Sequence, residues 1–291
     1  MKGIILAGGS GTRLNPLTKV VGKQLLPVYD KPMIYYPLST LILAGVTDVL
    51  VISTPGETDR FKQLLGDGSQ FGIAIKYKVQ AEPKGLAQGI QLGKEFLQNE
   101  EFWFILGDNL FHGPDFGTRL SENSLSGKSS QIFSYRVSDP SQYGVVRFSE
   151  DRKKPVEIVE KPTQLISHWA IPGLYFFDRT APERADSVMP SIRGELEIID
   201  VLKSYLAENL LSVSRISRGN AWFDLGTPES LLTGSQFVHL IQTRQGMLVG
   251  SPEEASFRKG LLSLNDILTR YDHVNNSLYE KSIVSVVKDF E

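Results

Sequence analysis

The chain has 291 residues, 41% of them hydrophobic and 22% charged, with a formal net charge of −2. It is long enough to bury about three quarters of the surface its unfolded form exposes, and its slight acidity disfavours a nucleic-acid partner, which calls for a basic excess. The absence of cysteine removes disulfides, thiolate zinc sites and thiol nucleophiles together and fits a reducing compartment.

Residues 3–7 form a continuous apolar run, the pattern of a strand covered on both faces in a parallel sheet. Only this short run follows Lys2, so no signal peptide is expected. The longest apolar stretch, 33–46, is interrupted by Pro37, Ser39 and Thr40 and is too short to span a bilayer. A cytoplasmic protein without membrane contact is the expectation. A helix is predicted over 32–44, with Pro32 in its first turn and Gly45 closing it. Strands at 48–53, 73–79 and 102–106 then alternate with helices at 57–65 and 85–98. Such alternation implies right-handed crossovers and a doubly wound sheet.

The middle differs. Short strands at 131–136, 143–148, 156–160 and 173–178 predict a mostly antiparallel insertion, about 128–180, beside the parallel sheet. A helix is expected at 197–208, a strand at 211–216 followed by Ala221-Trp222-Phe223-Asp224, and a helix at 228–242. The tail reads as short helices. The expected fold is α/β: a doubly wound, mostly parallel central sheet of Rossmann-like type over 1–245, carrying the insertion, with a helical C-terminal extension over 246–291. The histidines (His112, His168, His239, His273) show no zinc-type spacing.

The most informative segment is Gly8-Gly9-Ser10-Gly11-Thr12-Arg13, placed directly after the first strand, with Lys23 following. Glycines there let the backbone approach a ligand, and free N–H groups in succession make an anion-binding concavity. It is neither a Walker A loop, since Gly22-Lys23 runs into Gln24, nor a dinucleotide fingerprint, since Leu14 stands where the third glycine belongs. Asp108 follows the buried run 102–106, at the strand edge where open α/β sheets bind ligands. Asp224 follows Trp222-Phe223. Two such acids could share one Mg²⁺, although each alone also suits a turn or a helix cap.

Several strings resemble nucleotide-sugar pyrophosphorylases: the glycine loop through Leu14, then Lys23-Gln24-Leu25-Leu26-Pro27, and KQLLPVYDKPMIYYPLSTL over 23–41, which is similar to the thymidylyltransferase branch. The similarity continues through GDGSQFG (66–72), GLAQ (85–88), LGDN (106–109), YGVV (143–146), VEKP (159–162), GLYFFD (173–178), RGELEI (193–198) and WFDLGTPESL (222–231). The resemblance implies an Mg²⁺-dependent, homotetrameric enzyme joining glucose 1-phosphate to dTTP with release of pyrophosphate, a first step toward dTDP-deoxysugars such as dTDP-rhamnose. UTP or another sugar phosphate is the alternative, and a non-catalytic sensor a further one. An Asp-x-Asp glycosyltransferase is disfavoured, because Asp108-Asn109-Leu110 lacks the second acid.

By the same resemblance, Arg13, Lys23 and Lys161 are catalytic cations, and Asp108 and Asp224 hold the metal. Gly8, Gly9, Ser10, Gly11, Thr12, Arg13, Gln24, Gln80, Pro83, Gly85, Leu86 and Asp108 contact the nucleotide. Asn109, Tyr143, Gly144, Glu160, Lys161, Ile171, Gly173, Arg193, Glu195 and Trp222 face the sugar phosphate. Arg218, Gly219, Arg244 and Arg258 are candidates for a second, regulatory nucleotide site. Gly22, Pro172, Ile199 and Leu225 depart from the family pattern. Glu160 and Lys161, adjacent on a strand, should face opposite sides unless the strand ends there, as Pro162 suggests.

Overall fold

The computed structural model describes residues 1–9, 11–114, 116–123, 130–271 and 277–289. Ser10, His273, the expected start of the insertion at 128 and the chain's last two positions lie outside these. The strands are β1 (Lys2–Ala7), β2 (Pro27–Val28), β3 (Lys31–Pro32), β4 (Asp48–Ser53), β5 (Ala74–Val79), β6 (Phe102–Leu106), β7 (Asn109–His112), β8 (Ser130–Arg136), β9 (Gly144–Phe148), β10 (Pro155–Glu160), β11 (Trp169–Ile171), β12 (Leu174–Phe177), β13 (Leu211–Arg215) and β14 (Ala221–Asp224). The helices are α1 (Tyr35–Leu43), α2 (Pro55–Leu65), α3 (Ala87–Leu97), α4 (Phe116–Asn123), α5 (Ala181–Asp186), α6 (Ile198–Ala207), α7 (Pro228–Gln245), α8 (Pro252–Arg258), α9 (Leu264–Tyr271) and α10 (Leu278–Asp289).

The apolar runs form the parallel centre: β1 pairs in parallel with β4 and β6, and β4 with β5. Side chains alternate across a strand, so each run feeds two cores. Ile5, Val49, Val51, Trp103 and Ile105 pack with Leu38 and Leu41 of α1. Ile4, Leu6, Leu50, Ile52 and Phe104 pack with Ile90 of α3 and Leu202 of α6. Full burial of each such side chain stabilises the fold by about 1.5–3 kcal/mol.

The antiparallel strands stand beside this parallel centre as expected. They continue it, in the order β10-β9-β11-β8-β12-β6-β1-β4-β5, with β12 antiparallel to β6 and β13 parallel to β8. The helix predicted over 32–44 begins at Tyr35 instead. Lys31-Pro32 is drawn into a hairpin with Pro27-Val28, turned by Tyr29 in the left-handed region at φ 58.

The C-terminal helices α8–α10 share a core of Leu248, Leu262, Ile267, Ile283, Val286 and Val287. They are tied to the body by Ser256 Oγ donating to the Phe71 carbonyl (2.7 Å) and by Lys31. The Lys31 ammonium is buried between Asp30 (2.5 Å) and Gln242 (3.1 Å), with the rings of Tyr36 and Tyr279 5.0 and 5.1 Å away. Among the described residues no helix is long and apolar enough to cross a membrane.

Candidate active site

The glycine loop leaves the carboxyl end of β1 with Gly9 at φ 99 and Gly11 at φ 59, backbone that favours glycine. Gly8 is required for space: a Cβ there would lie 2.0 Å from Oε1 of Gln80. Gln80 is buried at the end of β5 and donates from Nε2 to Gln88 Oε1 (2.7 Å). Gln24, also buried, donates to the Gly8 carbonyl (3.4 Å). The two glutamines thus close the loop's inner side. Gly22, one of the departures, lies under α2, where a Cβ would come within 2.7 Å of Glu57 Oε2.

Asp108 and Asp224 are joined by a small ribbon outside the main sheet. β7 and β14 are antiparallel, with Asp224 opposite Asn109 and Trp222 opposite Phe111, and Leu225 N donates to the Asp108 carbonyl (3.0 Å). Leu225, another departure, meets Asp108 through its backbone while its side chain fills the core with Val238 and Val249, so an apolar residue suits it.

The two carboxylates differ sharply. Asp108 accepts from Lys23 Nζ at Oδ2 and from Asn109 Nδ2 at Oδ1 (3.0 Å). Burial raises its pKa, but Lys23 and the hydrogen bonds outweigh this and hold it below the ordinary aspartate range. Asp224 Oδ1 is buried with no hydrogen-bond partner. Burial, then the neighbouring Asp108 charge, push Asp224 up to about 6, against the pull of Lys23 and Arg13. The Arg13 guanidinium lies beside the same acid: a Cβ on Gly226 would meet Arg13 Nη2 at 2.8 Å and Asp224 Oδ1 at 2.9 Å.

These groups border a cleft of about 240 Å³ whose lining includes Arg13, Leu86, Asp108, Asn109, Lys161 and Asp224. Tyr143, Gly144, Glu160, Ile171, Gly173, Glu195 and Trp222 line it as well. β10 ends at Glu160, and Lys161 turns into the left-handed region at φ 42, its N–H donating to the Tyr143 carbonyl (3.0 Å). The strand end brings Lys161 Nζ within 4.0 Å of Glu160 Oε1, so the two do meet. Arg193 Nη2 contacts Glu160 (3.3 Å), Glu195 (3.6 Å) and Glu197 (2.8 Å).

Gly85, at φ 111, is pressed against the Leu196 backbone, and Leu196 N donates to the Lys84 carbonyl (2.6 Å). This contact sets Leu86 on the cleft wall, while Pro83 is exposed. Thr12 opens the short turn Thr12–Leu14 that carries Arg13. Lys23 contacts the lining residue Asp108 and Arg193 contacts Glu160 and Glu195, while Gln24 and Gln80 stand against Gly8. The regulatory candidates are dispersed. Arg258 lines a cleft with Tyr36, His112 and Glu254, Arg218 and Gly219 line another with Arg136, Arg152 and Arg215, and neither includes Arg244.

Glu197 was missed. It lines the cleft, is buried, and accepts from Ser191 Oγ (2.8 Å). The charged alternation Arg193-x-Glu195-x-Glu197 was its sequence signal. Gln88 was missed as the partner that orients Gln80. Ile199 was noted only as a departure. It is buried against the cleft, with Cδ1 2.7 Å from where a Gly144 Cβ would lie.

A parallel sheet with a glycine loop, two acids and three cations gathered at its carboxyl edge is the architecture of a nucleotide-handling transferase. The chain belongs to the nucleotidyl transferase family, which it matches over residues 2–240. It is 51% identical over 280 residues to the glucose-1-phosphate thymidylyltransferase of Mycolicibacterium smegmatis, covering 96% of both chains. It is 48% identical over 287 residues to the enzyme of the same name from Neisseria gonorrhoeae, covering 99% of both. A Bacillus anthracis protein provisionally assigned that activity, solved in complex with sucrose, superposes with a TM-score of 0.76 at 36% identity, over 81% of this chain and 94% of that one.

Proposed function

We propose that the chain joins glucose 1-phosphate and dTTP to give dTDP-glucose and pyrophosphate, in the cytoplasm, as the first step of dTDP-deoxysugar synthesis such as that of dTDP-rhamnose. The observation that carries this reading is the closeness of Asp108 and Asp224 beside Arg13 and Lys23, at a cleft that Glu160 and Lys161 also line. Relatives named for this activity, at 51% and 48% identity, support the substrates.

Both reactants are anions, so positioning and charge neutralisation carry the catalysis. A glucose 1-phosphate oxygen attacks the α-phosphorus of dTTP, a new P–O bond forms, and the bond to the bridging oxygen breaks as pyrophosphate leaves. A phosphate oxygen is nucleophilic enough that no general base is assigned. Arg13 steadies the leaving phosphates, Lys23 the α-phosphate, and Lys161 the sugar phosphate. Glu160 and Glu195 accept from sugar hydroxyls, with Arg193 holding both. Gln80 and Leu86 face the base, and the loop N–H groups face the phosphates. The partnerless Asp224 Oδ1 fits a cation held between Asp224 and Asp108, and a bound Mg²⁺ supplies charge neutralisation at the phosphates.

The reading extends to a homotetramer with feedback control through Arg218, Gly219, Arg244 and Arg258. Exposed Leu232 and Leu240, eight residues apart on α7 and so near one face, support a packed surface there. The catalytic unit is assigned to 1–245 and assembly to 246–291. A pyrophosphate-release assay over dTTP, UTP and several sugar 1-phosphates tests the proposal. Fastest release with dTTP and glucose 1-phosphate is expected, and no release from any pair would refute it. The buried, apolar Ile199 at the sugar cleft favours testing deoxysugar phosphates in the same grid.

A further inference from the structure

Asn109 and Trp222 line the cleft, yet their polar atoms are engaged with each other and with Asp108. Opposed residues of an antiparallel pair, and residues two apart, share a face. The β7–β14 register therefore puts Asn109, Phe111, Trp222 and Asp224 on one side of the ribbon. There Trp222 Nε1 donates to Asn109 Oδ1 (2.7 Å), and Gly173 N donates to the same oxygen (3.0 Å).

A carbonyl oxygen has two lone pairs, and both are now taken. The amide cannot flip, because its NH₂ would then face two donors. Its Nδ2 is held on Asp108 Oδ1 (3.0 Å). The indole that sets this orientation is itself fixed edge-on against Tyr143 (5.0 Å) and Tyr135 (5.7 Å). Asn109 is 2% and Trp222 8% exposed, so neither hydrogen bond is lost to water.

We propose that Trp222 and Asn109 are positioning residues that aim the Asp108 carboxylate: Trp222 locks the Asn109 amide, and the amide locks the acid. Lys23 controls one oxygen of Asp108, and this neutral relay controls the other without adding a charge that would compete with a cation. The inference rests on the proposed role of Asp108 and Asp224 as ligands of a divalent cation. It gives Asn109 and Trp222, which line the cleft, the further task of carboxylate alignment.

The test is Mn²⁺ binding to the purified full chain, followed by the paramagnetic signal of free Mn²⁺, beside the Kd for glucose 1-phosphate from calorimetry. The variants are Trp222→Phe, Asn109→Leu, their combination and Asp224→Asn. Trp222→Phe, which keeps an aromatic ring and removes the donor, should weaken Mn²⁺ binding about tenfold, the loss typical when a hydrogen-bonded support of a metal ligand is removed. The Mn²⁺ affinity should fall by a larger factor than the affinity for glucose 1-phosphate. The double variant should be no worse than Asn109→Leu alone, because two links of one relay are not additive.

Unchanged Mn²⁺ affinity in Trp222→Phe, or a loss confined to glucose 1-phosphate binding, would overturn the relay. Full additivity in the double variant would also overturn it. If wild-type Mn²⁺ binding survives Asp224→Asn unaltered, the underlying two-acid reading fails and the relay with it. Loss in Asp224→Asn without loss in Trp222→Phe sinks the relay alone. Should Asn109→Leu unfold, Trp222→Phe against wild type still decides the question.

Discussion

Lys23 and Asp108 form an ion pair across 85 residues of chain, with the side chains only 14% and 12% exposed. The ammonium covers one oxygen of the acid that stands beside Asp224, whose Oδ1 has no hydrogen-bond partner. On the proposed mechanism Lys23 has two opposed effects, as a competitor for any cation entering between the acids and as a cation for the reacting phosphates.

Lys23→Met separates these effects. Turnover should fall by about 10²–10³, the cost of removing one preorganised positive group from a dry site. Mn²⁺ affinity without nucleotide should rise, because Asp108 is freed. Steady-state kinetics beside a Mn²⁺ titration checks both signs. A parallel fall in turnover and metal affinity would mean that Lys23 acts only by holding Asp108 in place.

Asp224→Asn should make the metal-free protein more stable while abolishing catalysis. The ordinary aspartate value of 3.8 is raised to about 6 in the fold, by burial and then by Asp108. Between those values the native state binds more protons than the unfolded chain, so stability falls as pH rises through this window. The asparagine variant lacks that loss. In chelator, its advantage should grow between about pH 4 and 6 and stay level above, at about 1–3 kcal/mol. Thermal unfolding across this range measures it, and identical profiles would contradict the assignment.

Glu160→Gln should raise the KM for glucose 1-phosphate by about 10–100-fold, the scale of a lost hydrogen bond to a charged group, with a smaller change in kcat. Burial raises the Glu160 pKa, Lys161 opposes this, Glu197 reinforces it and Arg193 opposes it, leaving a net upward shift. Glu160 thus takes up a proton at higher pH than an exposed glutamate does. The wild-type KM should rise as pH falls toward the carboxylate range, and the glutamine variant should lack this dependence. Initial rates at several pH values distinguish the two.

The sequence showed the site where chemistry and backbone coincide. The buried run Phe102–Leu106 put Asp108 at a sheet edge, and the glycines after β1 marked a ligand approach. The sequence named Asp108 and Asp224 as partners, but the ribbon β7–β14 that brings them together was not legible. Asp108-Asn109 reads as a turn, and a four-residue strand following it carries too little periodicity to show. β11, at three residues, escaped for the same reason. The insertion reads as lying beside the parallel sheet, but how the two are joined does not show in the sequence. The joint is the pairing of Leu174–Phe177 with Phe102–Leu106, a long-range register that local pattern does not encode.

Lys31 joins the hairpin that follows the glycine loop to the C-terminal helices. Its side chain is 1% exposed, and that of Asp30, its partner, 8%. Burial depresses its pKa, while Asp30 and Glu253 oppose the shift. Lys31→Met leaves Asp30 buried without its counter-charge and should cost about 3–5 kcal/mol, as when one member of a buried pair is deleted. Adding Asp30→Asn removes the stranded charge, and the double variant should recover much of the loss. Urea unfolding of the two single variants and the double measures the coupling. Additive losses would show that the ring contacts of Lys31 with Tyr36 and Tyr279, rather than its charge pairing, hold the C-terminal helices to the rest of the fold.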